Sequence, residues 1–411
     1  MFSFVFWMLI ASSLGLIKLL TLILILDPAD YGRYVSVFGL AMLAGALGSF
    51  GQIERTVKIY PRMVAEGSDA KIISDAVSTF KTLLLRFILL LTVGILIAQY
   101  TDVPFDKLEI LLVFTIGLCS AWLSLFASIY RAYGSRSSLQ KFTLFRGFSV
   151  CVFATFGGYA FGWYGSVAGD LAGSVFTGAY AVIYLHRKHK NLSVRLPKTL
   201  SNSQDSSSIS GGGRLYFANM ISSSTLLADR SLVGYLLGAQ AAGSYGVSMF
   251  IPQVSQMFVN VIAQYIGPLV IKITHLGRID DSKISAIMFQ IVVFVLLTTG
   301  IILIAILARN IPFVDSVYDK YAISNELLVL AGFVASGQIY TLIEFHLIAL
   351  DGESYVLKAS LISGAIFSGF YVYSVLTTNS LGLEYFVAVA ALTRWTQVGF
   401  LIFFLRNLKL D

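Results

Sequence analysis

Charged residues, cysteines and histidines are scarce in this sequence. Only 12% of its 411 residues are charged and the mean hydropathy is +0.80, which together exclude a soluble globular domain. The two cysteines, Cys119 and Cys151, stand in apolar runs, which argues against a disulfide framework and against a metal cluster. We therefore expect an integral membrane protein that holds no metal and no cofactor.

Long apolar runs fill almost the whole chain. A bilayer core about 30 Å thick needs roughly 20 apolar residues for each helical span. Backbone groups in hydrocarbon must bond internally, and these runs are too long for barrel strands, so the predicted fold class is all-α with about twelve transmembrane helices. The predicted spans lie near 2–26, 33–52, 82–100, 108–130, 143–162, 164–185, 214–237, 243–270, 285–308, 326–349, 354–377 and 383–405.

The net charge of +7 comes largely from lysines and arginines in short loops between the spans. Membrane topology accounts for such residues, so no nucleic-acid partner is predicted. Basic loops are retained in the cytoplasm, and nearly all of them fall on one side when the N-terminus is placed there. We predict a multi-pass protein of the bacterial inner membrane with both termini in the cytoplasm.

One low-complexity stretch, "LSNSQDSSSISGGGR", follows the sixth predicted span. Its serine and glycine content cannot form a core and is typical of a flexible linker. The chain is therefore expected to consist of an N-terminal six-helix bundle at 1–199, a cytoplasmic linker at 200–213 and a C-terminal six-helix bundle at 214–411.

The two halves resemble each other in sequence. The segment "IASSLGLIKL" from Ile10 matches "ISSSTLLADR" from Ile221, which places Lys18 and Asp229 at equivalent points. Because six spans per copy is an even number, both copies enter the membrane in the same direction. This arrangement predicts two pseudo-symmetric bundles with a cavity between them.

Two segments at comparable positions in the halves carry a family resemblance. They are "LILILDPADYGRYVSVFGLAMLAGALGSFGQ" and "LLADRSLVGYLLGAQAAGSYGVSMF". These segments resemble the Wzx-type flippases of O-antigen and capsule repeat units, which belong to the MOP (MATE-like) superfamily. The resemblance implies a cavity that opens alternately to each face. It also implies an oligosaccharide linked to undecaprenyl diphosphate as cargo, and hence a part in lipopolysaccharide or exopolysaccharide biosynthesis.

Ionisable groups inside the spans are candidates for binding that cargo. Each costs about 3 kcal/mol at a helix centre, so it is expected to serve a function. Lys18, Arg230 and Arg394 are predicted to face the cavity, and guanidinium groups bind phosphate oxygens in bidentate fashion. A structural pair of Asp229 with Lys18 or Arg230 is the competing interpretation. Asp170 is expected to see water near the outer end of its span.

The eighth predicted span carries a row of amides. Their spacings of three, four and four place them on one helix face. Uncharged amides suit sugar hydroxyls, so this face is predicted to line the cavity. The row consists of Gln253, Gln256, Asn260 and Gln264.

Three further residues are candidates for binding a coupling ion, H⁺ or Na⁺. Glu344 and His346 form an acid and imidazole pair within one span, and Asp229 is the third candidate. A spacing of two places Glu344 and His346 on different helix faces, so a structural role is an equally open interpretation.

The favoured function is a transporter rather than an enzyme, with no catalytic residues. It would be a flippase that moves the lipid-linked oligosaccharide from the cytoplasmic to the periplasmic leaflet by alternating access. A MATE-type ion-coupled antiporter of small molecules is the nearest alternative, although the first span holds Lys18 and no carboxylate. A membrane polysaccharide polymerase or glycosyltransferase is disfavoured because the outer loops are too short to build a catalytic site.

Overall fold

A computed structural model describes residues 2–65, 69–100, 106–133, 136–189, 208–274, 281–350, 352–377 and 381–407. Within these ranges every regular element is helical, which confirms the predicted all-α class. A single 3₁₀ turn, Ala308–Asn310, accompanies the α-helices. The α-helices are α1 (Phe2–Ile25), α2 (Pro28–Ser49), α3 (Gln52–Ala65), α4 (Asp69–Tyr100), α5 (Lys107–Ala132), α6 (Arg136–His189), α7 (Ser208–Leu237), α8 (Ala239–Ser248), α9 (Phe250–Thr274), α10 (Asp281–Leu307), α11 (Pro312–Lys320), α12 (Asn325–Gly337), α13 (Tyr340–Ala349), α14 (Glu353–Leu376) and α15 (Leu383–Asn407).

Eight helical segments in the described ranges are long and apolar enough to cross a membrane, and one of them, Asn325–Ile348, runs through both α12 and α13. The longest, α6, contains two of the predicted spans. It bends at Phe161 and Gly162, and the φ of 63° at Gly162 is a conformation that glycine adopts without steric cost. This break lies where the sequence predicts one span to end and the next to begin.

Small residues bring the two arms of α6 into backbone contact. A Cβ added at Gly165 would overlap the carbonyl of Gly157, and one added at Gly169 would overlap the carbonyl of Phe153. Helices in lipid associate through such close packing because hydrocarbon offers no hydrophobic driving force between them. The glycines therefore fix how the fifth and sixth spans lie against each other.

The chain forms two compact units, which we call unit 1 and unit 2. Unit 1 contains Met1–Leu22 and Val37–Tyr216, and unit 2 contains Ile23–Ser36 and Phe217–Asp411. The predicted domain bounds stay a prediction, and residues 190–207 lie outside the described ranges. The described part of the predicted linker, 208–213, forms the start of α7.

The segment Ile23–Ser36 packs within unit 2. The hydroxyl of Tyr321 donates hydrogen bonds to the carbonyls of Ile23 and Leu26, at 2.9 and 3.1 Å, and Lys320 Nζ donates to the Leu26 carbonyl at 2.7 Å. These contacts satisfy carbonyls at the C-terminal end of α1, which its own backbone leaves unpaired. The end of one span is thereby held by the loop that follows α11.

Each unit has its own apolar core, while other large apolar side chains face outward. In unit 1 the buried cluster includes Tyr60, Leu123, Phe126 and Phe142. In unit 2 the clusters include Leu347, Leu401, Tyr245 and Phe386. Leu85 and Leu376 are 71% and 78% exposed, which is the pattern expected of helices that face lipid.

Candidate functional site

Unit 2 contains a small polar pocket inside its bundle. Its space amounts to about 20 Å³, which is room for roughly one water molecule. Four helices and the Met249 junction between α8 and α9 form its wall. The lining residues are Thr225, Asp229, Arg230, Met249, Pro252, Gln253, Gln256, Val334, Gln338, Ala390 and Arg394.

Arg394 is the most deeply buried cation of this pocket. Only 2% of the residue is exposed, and its Nη2 donates to Thr225 Oγ1 at 3.1 Å and to the Ser222 carbonyl at 3.3 Å. Its guanidinium also lies 5.2 Å from the centre of the Tyr340 ring. A Cβ at Gly337 would lie 2.6 Å from Arg394 Cβ, so only glycine allows this close approach. No carboxylate pairs with Arg394 among the described residues.

Asp229 is buried beside Arg230 but forms no ion pair with it among the described residues. Its Oδ2 accepts a hydrogen bond from the Tyr245 hydroxyl at 2.8 Å, and its Oδ1 accepts one from the Arg230 backbone N–H at 2.7 Å. Neutral donors thus satisfy the carboxylate. The Arg230 side chain is half-buried, and its Nε has no hydrogen-bond partner in the described parts of the chain.

Two amides of the pocket are incompletely satisfied. Gln338 is 0% exposed, and neither its Nε2 nor its Oε1 has a hydrogen-bond partner among the described residues. Gln253 Nε2 is likewise buried and unpartnered there. A buried polar group without a partner costs about 1–3 kcal/mol. The pocket therefore offers donors and an acceptor that a bound polar group would satisfy.

The structure divides the predicted amide row. Gln253 and Gln256 line the pocket, whereas Asn260, about one turn beyond Gln256 on α9, is exposed. The side chain of Gln264 lies outside the described residues. The sugar-binding role of the row stays a prediction, and only its first two members share the pocket with Arg230 and Arg394.

Glu344 lies on α13 and is connected to Arg394 through the side chain of Gln397. Its Oε1 accepts a hydrogen bond from Gln397 Nε2 at 3.1 Å, and Gln397 Oε1 accepts one from Arg394 Nη1 at 3.2 Å. His346 is half-buried, and no hydrogen bond joins it to Glu344 in the described structure. Ion binding by Glu344, His346 or Asp229 stays a prediction.

Unit 1 contains a buried ion pair between Lys18 and Asp170. Lys18 Nζ and Asp170 Oδ1 are 2.8 Å apart in an ion pair, and the two residues are 5% and 2% exposed. The ammonium also lies 4.5 Å from the centre of the Phe38 ring. The expectation that Asp170 sees water is wrong in this structure, because the residue is buried and its carboxylate pairs with Lys18. Cargo binding by Lys18 stays a prediction, and its structural partner is Asp170 rather than Asp229.

Sequence reasoning missed several residues that complete these sites. Thr225 precedes Asp229 by four residues and Gln397 follows Arg394 by three, spacings that place each beside its charged neighbour on one helix face. A search for polar residues one turn from each intramembrane charge would find both. Tyr245 lies on α8 and Gln338 lies between α12 and α13, so only tertiary packing brings Tyr245 to Asp229 and Gln338 to the pocket.

No protein-family model matches the chain, and no curated protein matches it. Solved structures do match. An inward-facing multidrug resistance MATE family transporter of the MOP superfamily is 11% identical with a TM-score of 0.68, and the match covers 98% of this chain and 94% of that one. The lipid II flippase MurJ, in an inward closed conformation, is 12% identical with a TM-score of 0.65 over 99% of this chain and 88% of that one.

A third similar structure is the Vibrio cholerae MATE transporter VcmN, which is 15% identical with a TM-score of 0.56 over 100% of this chain and 98% of that one. At these identities the likeness shows the fold. The chain has the fold of these transporters, which confirms the predicted MATE-like fold class.

Proposed function

We propose that the protein is a Wzx-type flippase, which moves an oligosaccharide linked to undecaprenyl diphosphate from the cytoplasmic to the periplasmic leaflet. The observation that carries this proposal is the composition of the unit 2 pocket. Arg230 and Arg394 outnumber the single carboxylate of Asp229, so the pocket has a net positive charge. A positively charged, partly unsatisfied pocket inside a membrane bundle favours an anionic ligand.

The diphosphate of the lipid carrier fits the donors that are present. The Nε of Arg230 and the Nε2 atoms of Gln253 and Gln338 are buried and unpartnered in the described structure. Phosphoryl oxygens accept several hydrogen bonds at once, and those from a guanidinium are the stronger charge-assisted type. The present volume admits a single phosphoryl oxygen, so the sugars and the lipid would remain outside the pocket.

The ion-pair geometry of unit 1 bears on the alternative function, a MATE-type antiporter. Such a transporter is expected to hold an acidic ion-binding group in its first half, and Asp170 is a deeply buried carboxylate there. In this structure Lys18 already neutralises it. For Asp170 to bind a coupling ion, the 2.8 Å pair would have to open, which favours the flippase.

The test is translocation of a fluorescent undecaprenyl-diphosphate-linked oligosaccharide in proteoliposomes. We expect Arg394→Gln to lower the rate roughly tenfold or more, the effect typical of losing a buried charge-assisted contact. Arg406→Gln is the matched control because Arg406 lies exposed at the end of the same helix. Equal rates for both variants would overturn the proposal.

A second comparison separates the flippase from the antiporter. The double variant Lys18→Met with Asp170→Leu removes both charges of unit 1 together. A flippase that binds its cargo in the unit 2 pocket should retain translocation in this variant. An antiporter that uses Asp170 should instead lose ion-driven export of small cations in vesicles. Loss of that export, in a variant that still binds the lipid-linked oligosaccharide, would favour the antiporter.

A further inference from the structure

Glu344 is an intramembrane acid whose partner is an amide rather than a cation. Its Oε1 accepts from Gln397 Nε2 at 3.1 Å. The ion pairs found within the described residues, Lys18–Asp170 and Arg55–Asp75, do not include it. An ionised carboxylate in such a place is costly, so this acid is suited to exchange a proton.

Gln397 connects this acid to the pocket. The residue is 0% exposed, its Oε1 accepts from Arg394 Nη1 at 3.2 Å, and its Nε2 also donates to Ser222 Oγ at 3.0 Å. Both ends of one amide are therefore in use, with the nitrogen toward the acid and the oxygen toward the arginine. This orientation is the one that an ionised Glu344 requires, because a carboxylate only accepts hydrogen bonds.

A proton on Glu344 turns a group that only accepts hydrogen bonds into one that also donates. When the carboxylic acid O–H faces Gln397, turning the amide over presents Oε1 to that donor. The Ser222 hydroxyl both donates and accepts, so it tolerates either orientation. Arg394 has only donors and would face the Gln397 nitrogen, which deprives Nη1 of its acceptor.

We propose that Gln397 is a positioning residue that couples protonation of Glu344 to anion binding by Arg394. When a proton from water adds to the Glu344 carboxylate, the amide turns and Arg394 is left free to bind an anion in the unit 2 pocket. By linkage, an anion at Arg394 favours the proton on Glu344 to the same degree. The inference rests on the proposed function only in assigning anion binding to Arg394.

The charged and titratable groups near Glu344 come from its own helix and from α14 and α15. Arg394 on α15 and Tyr340 on its own helix are the charged or titratable groups found to interact with it in the described residues. The described side chains of α9 include the uncharged Gln253, Gln256 and Asn260. On α14, Glu353 and Lys358 stand in the first turns, and Lys358 is exposed over the Tyr355 ring. His346 stands two residues away on α13.

The experiment measures anion affinity of the full chain in nanodiscs at about pH 5.5 and about pH 8.5, on either side of the range in which a buried carboxyl titrates. Two probes of constant charge are used. Sulfate represents a free anion, and farnesyl-diphosphate-linked N-acetylglucosamine represents a lipid headgroup. We expect wild type to bind roughly 5-fold or more tightly at the lower pH, the lower end of typical coupling. A pH effect on the lipid probe alone would assign the site to a headgroup.

Three variants test the proposed coupling of Glu344 to Arg394 through Gln397. Glu344→Gln carries a permanent donor, so it should bind at both pH values as wild type binds at the lower one. Gln397→Met keeps the length but removes the hydrogen bonds to Glu344 and Arg394, so it should bind the probe without pH dependence. Glu326→Gln, at the exposed start of α12, is the matched control and should keep the wild-type profile.

The outcomes separate this inference from the proposed function. If Arg394→Gln and Arg394→Lys both bind the probes as wild type does, the proposed anion site is wrong. If Arg394→Gln loses binding but Glu344→Gln keeps the wild-type pH dependence, the site stands and the coupling is wrong. Wild-type affinity that is equal at both pH values also overturns the coupling, whatever the variants do.

Discussion

The two compact units treat buried charge in opposite ways. In unit 1, Lys18 and Asp170 neutralise each other at 2.8 Å, with an aromatic ring against the ammonium. In unit 2, Asp229 is satisfied by a tyrosine hydroxyl and a backbone N–H, while Arg394 is held by hydroxyl, carbonyl and amide groups. One unit pairs its opposite charges directly, and the other keeps them apart around a pocket.

This difference indicates which unit retains uncompensated charge that could bind a ligand. A direct ion pair leaves little uncompensated charge, since each charge already meets its opposite. Hydrogen bonds with neutral groups satisfy the donors or acceptors of an ion but leave its net charge uncompensated. The repeat places Lys18 and Asp229 at equivalent points, so the same position carries opposite signs in the two halves. We expect substitutions in unit 1 to affect mainly stability and those in unit 2 to affect mainly transport.

The largest expected effect is on the stability of unit 1. Lys18→Gln or Asp170→Asn leaves one buried charge without a partner, and we expect a loss of about 3–5 kcal/mol in the free energy of unfolding. Thermal unfolding in detergent measures this loss. The half-exposed pair Arg55–Asp75 is the matched control, and Arg55→Gln should cost less than about 1 kcal/mol. Equal losses from both pairs would contradict the comparison.

A smaller effect is expected at Asp229 in unit 2. Tyr245→Phe removes a neutral donor from a buried carboxylate and should cost about 1.5–3 kcal/mol, the worth of a hydrogen bond to a charged group. A double-mutant cycle of Tyr245→Phe with Asp229→Asn measures the coupling between the two side chains. Tyr385→Phe is the control because that hydroxyl donates to a neutral carbonyl, that of Phe370, at 3.2 Å. Additive losses at Asp229 and Tyr245 would show that the bond contributes nothing.

Arg230 should separate stability from transport. Because its side chain is half-buried and its Nε is unpartnered, Arg230→Gln should change the unfolding free energy by less than about 1 kcal/mol while translocation falls roughly tenfold. Arg230→Lys should recover only part of the rate, since an ammonium lacks the bidentate geometry of a guanidinium. Matched membrane abundance is the control. A large loss of stability with unchanged transport would assign Arg230 to structure.

The smallest effect, with the opposite sign, is expected at Gln338. Gln338→Leu removes two buried polar atoms that have no partner in the described structure, so the unfolding free energy should stay level or rise by up to about 1 kcal/mol. Translocation should fall nonetheless, because the pocket loses a donor and an acceptor. Thermal unfolding and the proteoliposome assay read out the two effects. A clear loss of stability would show that Gln338 is satisfied in the native membrane.

Much of the fold follows from local sequence. Apolar runs of membrane length predict the helices, and the turn between the fifth and sixth spans falls at Phe161 and Gly162 as predicted. The site was harder to predict because its members come from distant helices. The predicted amide row is regular along α9, yet only Gln253 and Gln256 line the pocket. Packing of neighbouring helices decides which part of a helix face is enclosed.

The sequence by itself determined that the chain is a helical membrane protein with rare charges in its spans, because hydropathy and helical periodicity are local properties. It also identified Lys18, Asp229, Arg230 and Arg394 as unusual, because an intramembrane charge is costly wherever it lies. Only the tertiary structure decided which charges are neutralised. Lys18 and Asp170 stand 152 residues apart, and a pair at that separation forms only when helix packing brings the two side chains together.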